Sequence, residues 1–327
     1  MEKLNIFNPA LAPLQGAYCD LAELTAARLA ADGLTLRHSQ RAHSQLFGEL
    51  RSSLRGRGLE FEEVRAYQAG DDVRNIDWRV TARTGRPFTK LFREERERPS
   101  LLVIDQRQPM FFGSRTCFKA KLAAYYGALL AWAALQQGDR IGGLIIGNNE
   151  RCEIRPRRAR KTAMAWLNAL YNFNHQLRRD SQLASSADSL IAALADLRRI
   201  ARPGSAIFIV SDFAGTEQPQ ARDQVHELLH SLARHCEITA LFIFDPLERE
   251  LPPPALYTVT DGAQRVALDS GENALRARHR ETFEQRLQTL QQLFASMAIP
   301  LLEASTEQAP LALFMRNTAR SRRGASR

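Results

Sequence analysis

Three apolar runs, each closed by an aspartate, constrain the fold of this chain more than any other feature. LLVID (101–105), SAIFIVSD (205–212) and EITALFIFD (237–245) are β-rich and do not alternate apolar with polar residues. Strands covered on both faces read this way. Helical patterns separate them, at 115–137 ending before Gly138, 161–173, 188–201 closed by Pro203-Gly204, 217–235 and 274–298. RIGGLIIG (140–147) adds a buried strand, RCEIR (151–155) a strand beside it, AQRVALD (263–269) an edge strand and IPLLEA (299–304) a last strand. Strands alternating with helices predict an α/β fold with a doubly wound, mainly parallel sheet.

The N-terminal part has a different texture. Residues 20–33 predict a helix capped by Asp20 and ending near Gly33. Residues 37–98 are Arg-rich and punctuated by Gly56, Gly58, Gly70 and Gly85, which predicts short strands and turns, PFTKLF (87–92) among them. The expected division is an N-terminal segment at 1–98, an α/β domain at 99–315 and a basic disordered tail at 316–327.

In an open α/β sheet the ligand crevice lies outside the carboxyl ends of the strands. Asp105, Asp212 and Asp245 would all stand there. Gathered carboxylates repel one another unless a cation sits among them, and Mg²⁺ is the usual one. The plain alternative is that each Asp caps the helix or turn that follows it.

With 44% hydrophobic and 25% charged residues, collagen-like, disordered and disulfide-scaffold classes are excluded. The net charge of +9 is local. Residues 151–180 hold eight basic and two acidic residues, and residues 316–327 hold five Arg and no acid. Such blocks suit phosphate, nucleic acid, an acidic protein or anionic lipid, and equally a solvated face and a loose tail. The tail lacks the aromatics that stack on bases, which argues against nucleic acid. It leaves peripheral membrane contact open. Cys19, Cys117, Cys152 and Cys236 form no CxxC pair, so reduced thiols in a cytoplasmic protein are expected. No signal peptide is evident, and the longest uncharged apolar run, 122–135, is too short to span a bilayer.

GRGLEFEEVRAYQAGDDVRNIDWRVTARTGRPFTKLFREE (56–95), followed at once by LLVID, resembles the bacterial family called domain of unknown function 58. Arg65, Tyr67, Gly70, Asp71, Asp72, Arg74, Asp77, Trp78 and Arg83 carry much of the likeness. The resemblance implies a von Willebrand factor A-type, Rossmann-like core. It also implies an adaptor without catalytic activity, partnered by a MoxR-type AAA+ ATPase and acting on an unknown client protein. A-type domains hold a divalent cation with D-x-S-x-S, plus a Thr and an Asp from other loops. Here Asp105 and Asp212 match the acids, Arg107 and Pro109 replace the two serines, and Thr162 is the guess for the threonine.

The site is therefore expected to be a degenerate metal-ion-dependent adhesion site that holds Mg²⁺ weakly. Arg107 is expected to bridge Asp105 and Asp212 as a fixed cation. Asp105, Arg107, Gln108, Pro109 and Asp212 make the expected client face. In the signature, dense opposite charges predict an ion-pair lattice, with Ile76 and Trp78 anchoring the segment on the sheet. A docking face for the ATPase is compatible with that bracing role.

HELLH (226–230) fits H-E-x-x-H, with His226 and His230 on one helix face and Glu227 as base. The metzincin extension fails at Ala233 and His235. A metal-dependent hydrolase built on the strand-end Asp residues or on this motif is the enzymatic alternative. A nucleic-acid binder using the basic blocks is the third reading.

Overall fold

The computed structural model describes residues 12–32, 34, 36, 59–68, 71, 73–94, 99–178, 187–260 and 265–314. Helix α1 (Leu21–Ala30) opens with the expected cap. Asp20 accepts from the Ala22 amide and Glu23 reaches back to the Asp20 amide, a capping box. Leu24, Ala27 and Ala30 are its buried side. Gly33, the expected end signal, lies outside the described residues.

A small unit, Arg37–Glu97, follows. Strands β1 (Leu59–Ala66) and β2 (Phe88–Glu94) pair antiparallel. Between them runs α2 (Trp78–Thr84), a helix the sequence reading had not placed. Asp77 caps it by accepting from the Arg79 and Val80 amides, and Gly85 ends it at φ 70°.

The larger unit comprises Met1–Leu36 and Arg98–Arg327. Helix α1 belongs with the larger unit and not with the segment that follows it. The reason is packing: Leu24, Ala27 and Ala30 share one apolar core with helix α3 (Lys119–Gln136). The tail at 315–327 lies outside the described residues.

After β3 (Pro99–Asp105) and α3 come β4 (Arg140–Ile146), β5 (Arg151–Arg157), α4 (Arg160–Gln176), α5 (Asp188–Ile200), β6 (Ala206–Ser211), α6 (Pro219–Ala233) and β7 (Glu237–Phe244). The short α7 (Pro246–Arg249), β8 (Leu256–Thr260), β9 (Arg265–Asp269), α8 (Asn273–Ala295) and β10 (Leu301–Ser305) complete the order. One six-stranded sheet has the order β10-β7-β6-β3-β4-β5. It is parallel except for β5, which runs antiparallel to β4.

Both faces are covered, as unalternating strands require. Leu102, Ile104, Phe208 and Val210 meet α1, α3 and α4, while Leu101, Val103, Ile207 and Ile209 meet α5, α6 and α8. Gly143 has φ 143°, and a Cβ there would come within 1.9 Å of the Leu102 carbonyl oxygen. Only glycine lets β4 lie this close to β3. The strand expected as an edge at 263–269 is β9, which among the described strands pairs with β8 alone, in a two-stranded hairpin separate from the large sheet.

Candidate functional site: a cation-filled carboxyl rim

Because β7, β6 and β3 are neighbours and parallel, Asp245, Asp212 and Asp105 come to one edge of the sheet. Asp105 is fully buried. Arg107 closes back on it: Nε lies 3.0 and 3.1 Å from the two carboxylate oxygens, Nη2 lies 2.7 Å from Oδ2, and the Arg107 amide donates to Oδ1 at 3.0 Å. The Ser211 hydroxyl donates to Oδ2 at 2.6 Å. Arg107 Nη1 donates to the Ala214 carbonyl at 3.3 Å, tying the β3 loop to the loop after β6. Burial disfavours the guanidinium charge, but Asp105, with Asp212 and Glu217 beyond it, more than restores the charged form.

Asp212 takes a different cation. Lys119 Nζ lies 2.8 Å from Asp212 Oδ2 and 2.9 Å from Glu248 Oε1. The Ala214 amide donates to Asp212 Oδ1 at 2.9 Å, and Arg286 Nη2 donates to the Asp212 carbonyl at 2.7 Å. Burial pushes the Asp212 carboxyl up, but Lys119, Arg286 and Arg107 outweigh it and hold it down at about 2. So the one bridging guanidinium expected from the sequence is replaced by two cations, Arg107 on Asp105 and Lys119 on Asp212.

Asp245 is a cap. Its carboxylate accepts from the Leu247 and Ser114 amides at 2.9 and 3.0 Å, from Thr306 Oγ1 at 2.7 Å and from the Ser114 hydroxyl. A capping box with Glu248 starts α7. Thr162 is placed at the wrong end. Strand β5 runs back to set Arg157 opposite Ile141, so α4 starts at the amino edge of the sheet, away from Asp105.

The expected client face is corrected in a second respect. Asp105, Arg107, Gln108 and Asp212 are all buried, and Pro109 is half-buried. They underlie the rim and do not form its surface. Gln108 holds the loop, its amide donating to Asn148 Oδ1 at 2.6 Å and its Nε2 to the Arg178 carbonyl at 2.7 Å. The exposed residues of the rim include Phe112, Ser114 and Arg115 after β3, Asn149 and Glu150 after β4, and Glu217 and Gln218 after β6. The donor set does not fit Mg²⁺. Each carboxylate already has a side-chain cation, and the two hydroxyl positions hold Arg107 and Pro109.

In the small unit, Arg65 pairs with Asp71 at 2.8 Å, and Asp71 also accepts from the Gln68 amide at 2.9 Å. Lys90 approaches Asp77 at 3.5 Å. The two amides at the start of α2, chiefly that of Val80, hold the Asp77 carboxyl below its usual range, with help from Lys90. Tyr67 is half-buried, its amide donating to the Pro87 carbonyl at 2.9 Å. Arg74 and Arg83 are exposed, Arg83 in the last turn of α2. Gly70 and Asp72 lie outside the described residues. Ile76 bridges to Thr89, but Trp78 is no anchor: it is 69% exposed, with Val73 also exposed.

A profile of the family described as "Protein of unknown function DUF58" matches residues 63–289. The chain belongs to the DUF58 family. Uncharacterized proteins of Mycobacterium bovis and Mycobacterium tuberculosis are 30% identical to this DUF58 protein over 293 residues, 89% of each chain. The crystal structure of a conserved hypothetical protein, BatB, from Bacteroides thetaiotaomicron aligns with a TM-score of 0.39 and 11% identity, over 69% of this chain and 99% of that one.

In this DUF58 protein HELLH lies on α6, whose buried residues are Val225, Leu229 and Leu232. His226 and His230 stack at 5.8 Å between ring centroids, and Glu227 is exposed. Among the described residues, no group of three or more His, Cys, Asp or Glu side chains is arranged to hold a metal. No described helix is long and apolar enough to cross a membrane. Cys19, Cys117 and Cys236 are buried and in no disulfide; burial pushes the thiols of Cys19 and Cys117 up to about 12.

Sequence reasoning missed Lys119, Ser211, Glu248 and Arg286. Lys119 and Lys121 had a signal. They stand just before a fourteen-residue uncharged apolar run, and a helix apolar all round is a buried one. A lysine at its head needs an acid or a carbonyl nearby. Lys121 finds Gln15 O at 2.6 Å and Glu23 at 3.0 Å.

Proposed function

We propose that this DUF58 protein is a non-enzymatic adaptor with a von Willebrand factor A-like core. In this reading it works with a MoxR-type AAA+ ATPase to bring a client protein to assembly or maturation. The observation that carries the reading is the closure of the rim. The two acids that match the metal-site positions are buried and already paired, Asp105 with Arg107 and Asp212 with Lys119. A carboxylate saturated in this way is a poor base, nucleophile or cation ligand, yet the pairs fix the loops above them.

Those loops present Phe112 and Arg115 to solvent, and the small unit presents Trp78. Exposed aromatic and Arg side chains are the usual anchors of protein interfaces. The partner class rests on the resemblance of residues 56–95. Affinity purification of the tagged chain from its host tests the reading. An AAA+ ATPase is expected in the eluate, and capture is expected to fall several-fold in Trp78→Ala or Phe112→Ala with the melting temperature held. A turnover number lost in Asp105→Asn or Asp212→Asn, with no partner retained by the parent, would overturn it.

A further inference from the structure

Along the outer strand of the sheet, from the level of the rim at Arg151 to the amino edge at Arg157, runs a row of charges that the adaptor reading does not use. Strand β5 is the sheet's outer strand: β4 pairs with one side, and no described strand pairs with the other. Its odd-numbered residues, Arg151, Glu153, Arg155 and Arg157, are exposed and the even ones half-buried. The row is not uniform. Arg151 pairs with Asp196 at 3.1 Å and Glu153 with Arg199 at 3.5 Å. Arg155 and Arg157 have no ion pair among the described residues, and neither have Arg160 and Lys161 just beyond.

Arg160 and Lys161 begin α4, whose first turn holds no acid and whose N-cap, Ala159, supplies no side-chain bond. Cations at that end oppose the helix dipole. Of the five exposed cations at 155–161, Arg155, Arg157, Arg160 and Lys161 have no ion pair among the described residues.

We propose that the outer edge of β5 docks an extended acidic segment of a partner protein. Arg155 and Arg157 take carboxylates at alternate positions of that segment, and Arg160 and Lys161 take a further acid. The spacing argues for an extended ligand. On a regular strand residues two apart stand about 6.6 Å apart. A register irregularity between Ile154 and Arg157 changes that spacing locally, but Arg155 and Arg157 are both exposed and within reach of one extended segment. Pro156 lies between them and has no N–H to give, so side-chain charge, not a continued backbone ladder, carries the recognition.

A membrane surface fits less well. Neither β5 nor the first turn of α4 carries an exposed large apolar side chain of its own to enter the acyl boundary. Nucleic acid fits less well for the same reason, since neither element carries an exposed aromatic to stack on a base. This surface is separate from the rim and does not depend on the adaptor reading.

Fluorescence anisotropy with the full chain tests it. The probes are a labelled peptide of about twelve residues alternating glutamate with serine, the all-serine peptide, phosphatidylglycerol vesicles and oligo-dT. The glutamate peptide is expected to bind, to weaken as salt is raised, and to lose affinity at least about ten-fold in Arg155→Gln/Arg157→Gln. Arg160→Gln/Lys161→Gln is expected to weaken it less, and Arg234→Gln/Arg278→Gln, elsewhere on the surface, not at all. All six side chains are exposed, so far-UV melting of each variant should match the parent. Equal affinity of the Arg155/Arg157 variant and the parent would overturn the proposal. So would vesicles or oligo-dT binding more tightly than the peptide through the same two arginines.

Discussion

Lys119 stands in the first turn of α3, where the helix dipole opposes a cation, yet its ammonium lies 2.8 Å from Asp212 and is almost fully buried. Asp212 and Glu248 together overcome both the dipole and the desolvation, and raise the lysine above its ordinary value. Removing one partner would leave a buried, uncompensated charge. Lys119→Met is therefore expected to lower stability by about 3–5 kcal/mol, and Asp212→Asn by a similar amount. The double variant Lys119→Met/Asp212→Asn is expected to recover much of the loss. A double-mutant cycle from denaturant unfolding measures the coupling.

The same pair sets an acid limit. Asp212 is held at about 2, below its unfolded value near 3.8. A depressed carboxylate contributes its full stability above the unfolded value and loses it as pH falls through the folded one. The window is therefore about pH 4 down to pH 2, and the contribution is on the order of 2 kcal/mol. Lys119 has the opposite sign. Its contribution is complete below its unfolded pKa of about 10.4 and disappears as pH rises through its raised folded value. Unfolding free energies measured from pH 5 to pH 2 should fall less steeply in Asp212→Asn than in the parent.

Asp245 shares its position on the sheet with the other two acids but not their chemistry. It accepts two amides and two hydroxyls and caps α7. Asp245→Ala strands these donors and is expected to cost about 2–4 kcal/mol, while leaving partner capture per folded molecule unchanged. Thermal melts read beside pull-down yields separate the two effects.

Much of this architecture was legible from periodicity. Unalternating LLVID, AIFIVS and ITALFIF did become central parallel strands, and the closing Asp residues did meet at one edge. The helix α2 was not legible, because its cap Asp77 lies in a run so dense in charge that the capping pattern is lost. Nor was the hairpin of β8 and β9. A β-rich run announces a strand but not its partner, and the pairing of β9 with β8 was not foreseen. At the site, the sequence could nominate Arg107, since it is two residues from Asp105. Lys119, Glu248 and Arg286 reach the rim from three different helices, and only the folded chain brings them there.

The account stands or falls on whether these built-in cations occupy the place of an exchangeable one. Melting temperatures with and without about 10 mM Mg²⁺ or Mn²⁺ test this in the parent, Arg107→Ser and Asp105→Ala. A site with a Kd near 0.1 mM would add about 2.7 kcal/mol at that concentration. The parent is expected not to respond. Arg107→Ser is expected to be less stable than the parent and to regain part of the loss with metal, because it restores one hydroxyl and frees Asp105. A parent whose melting temperature climbs with Mg²⁺ or Mn²⁺, and stops climbing in Asp105→Ala, would contradict the account.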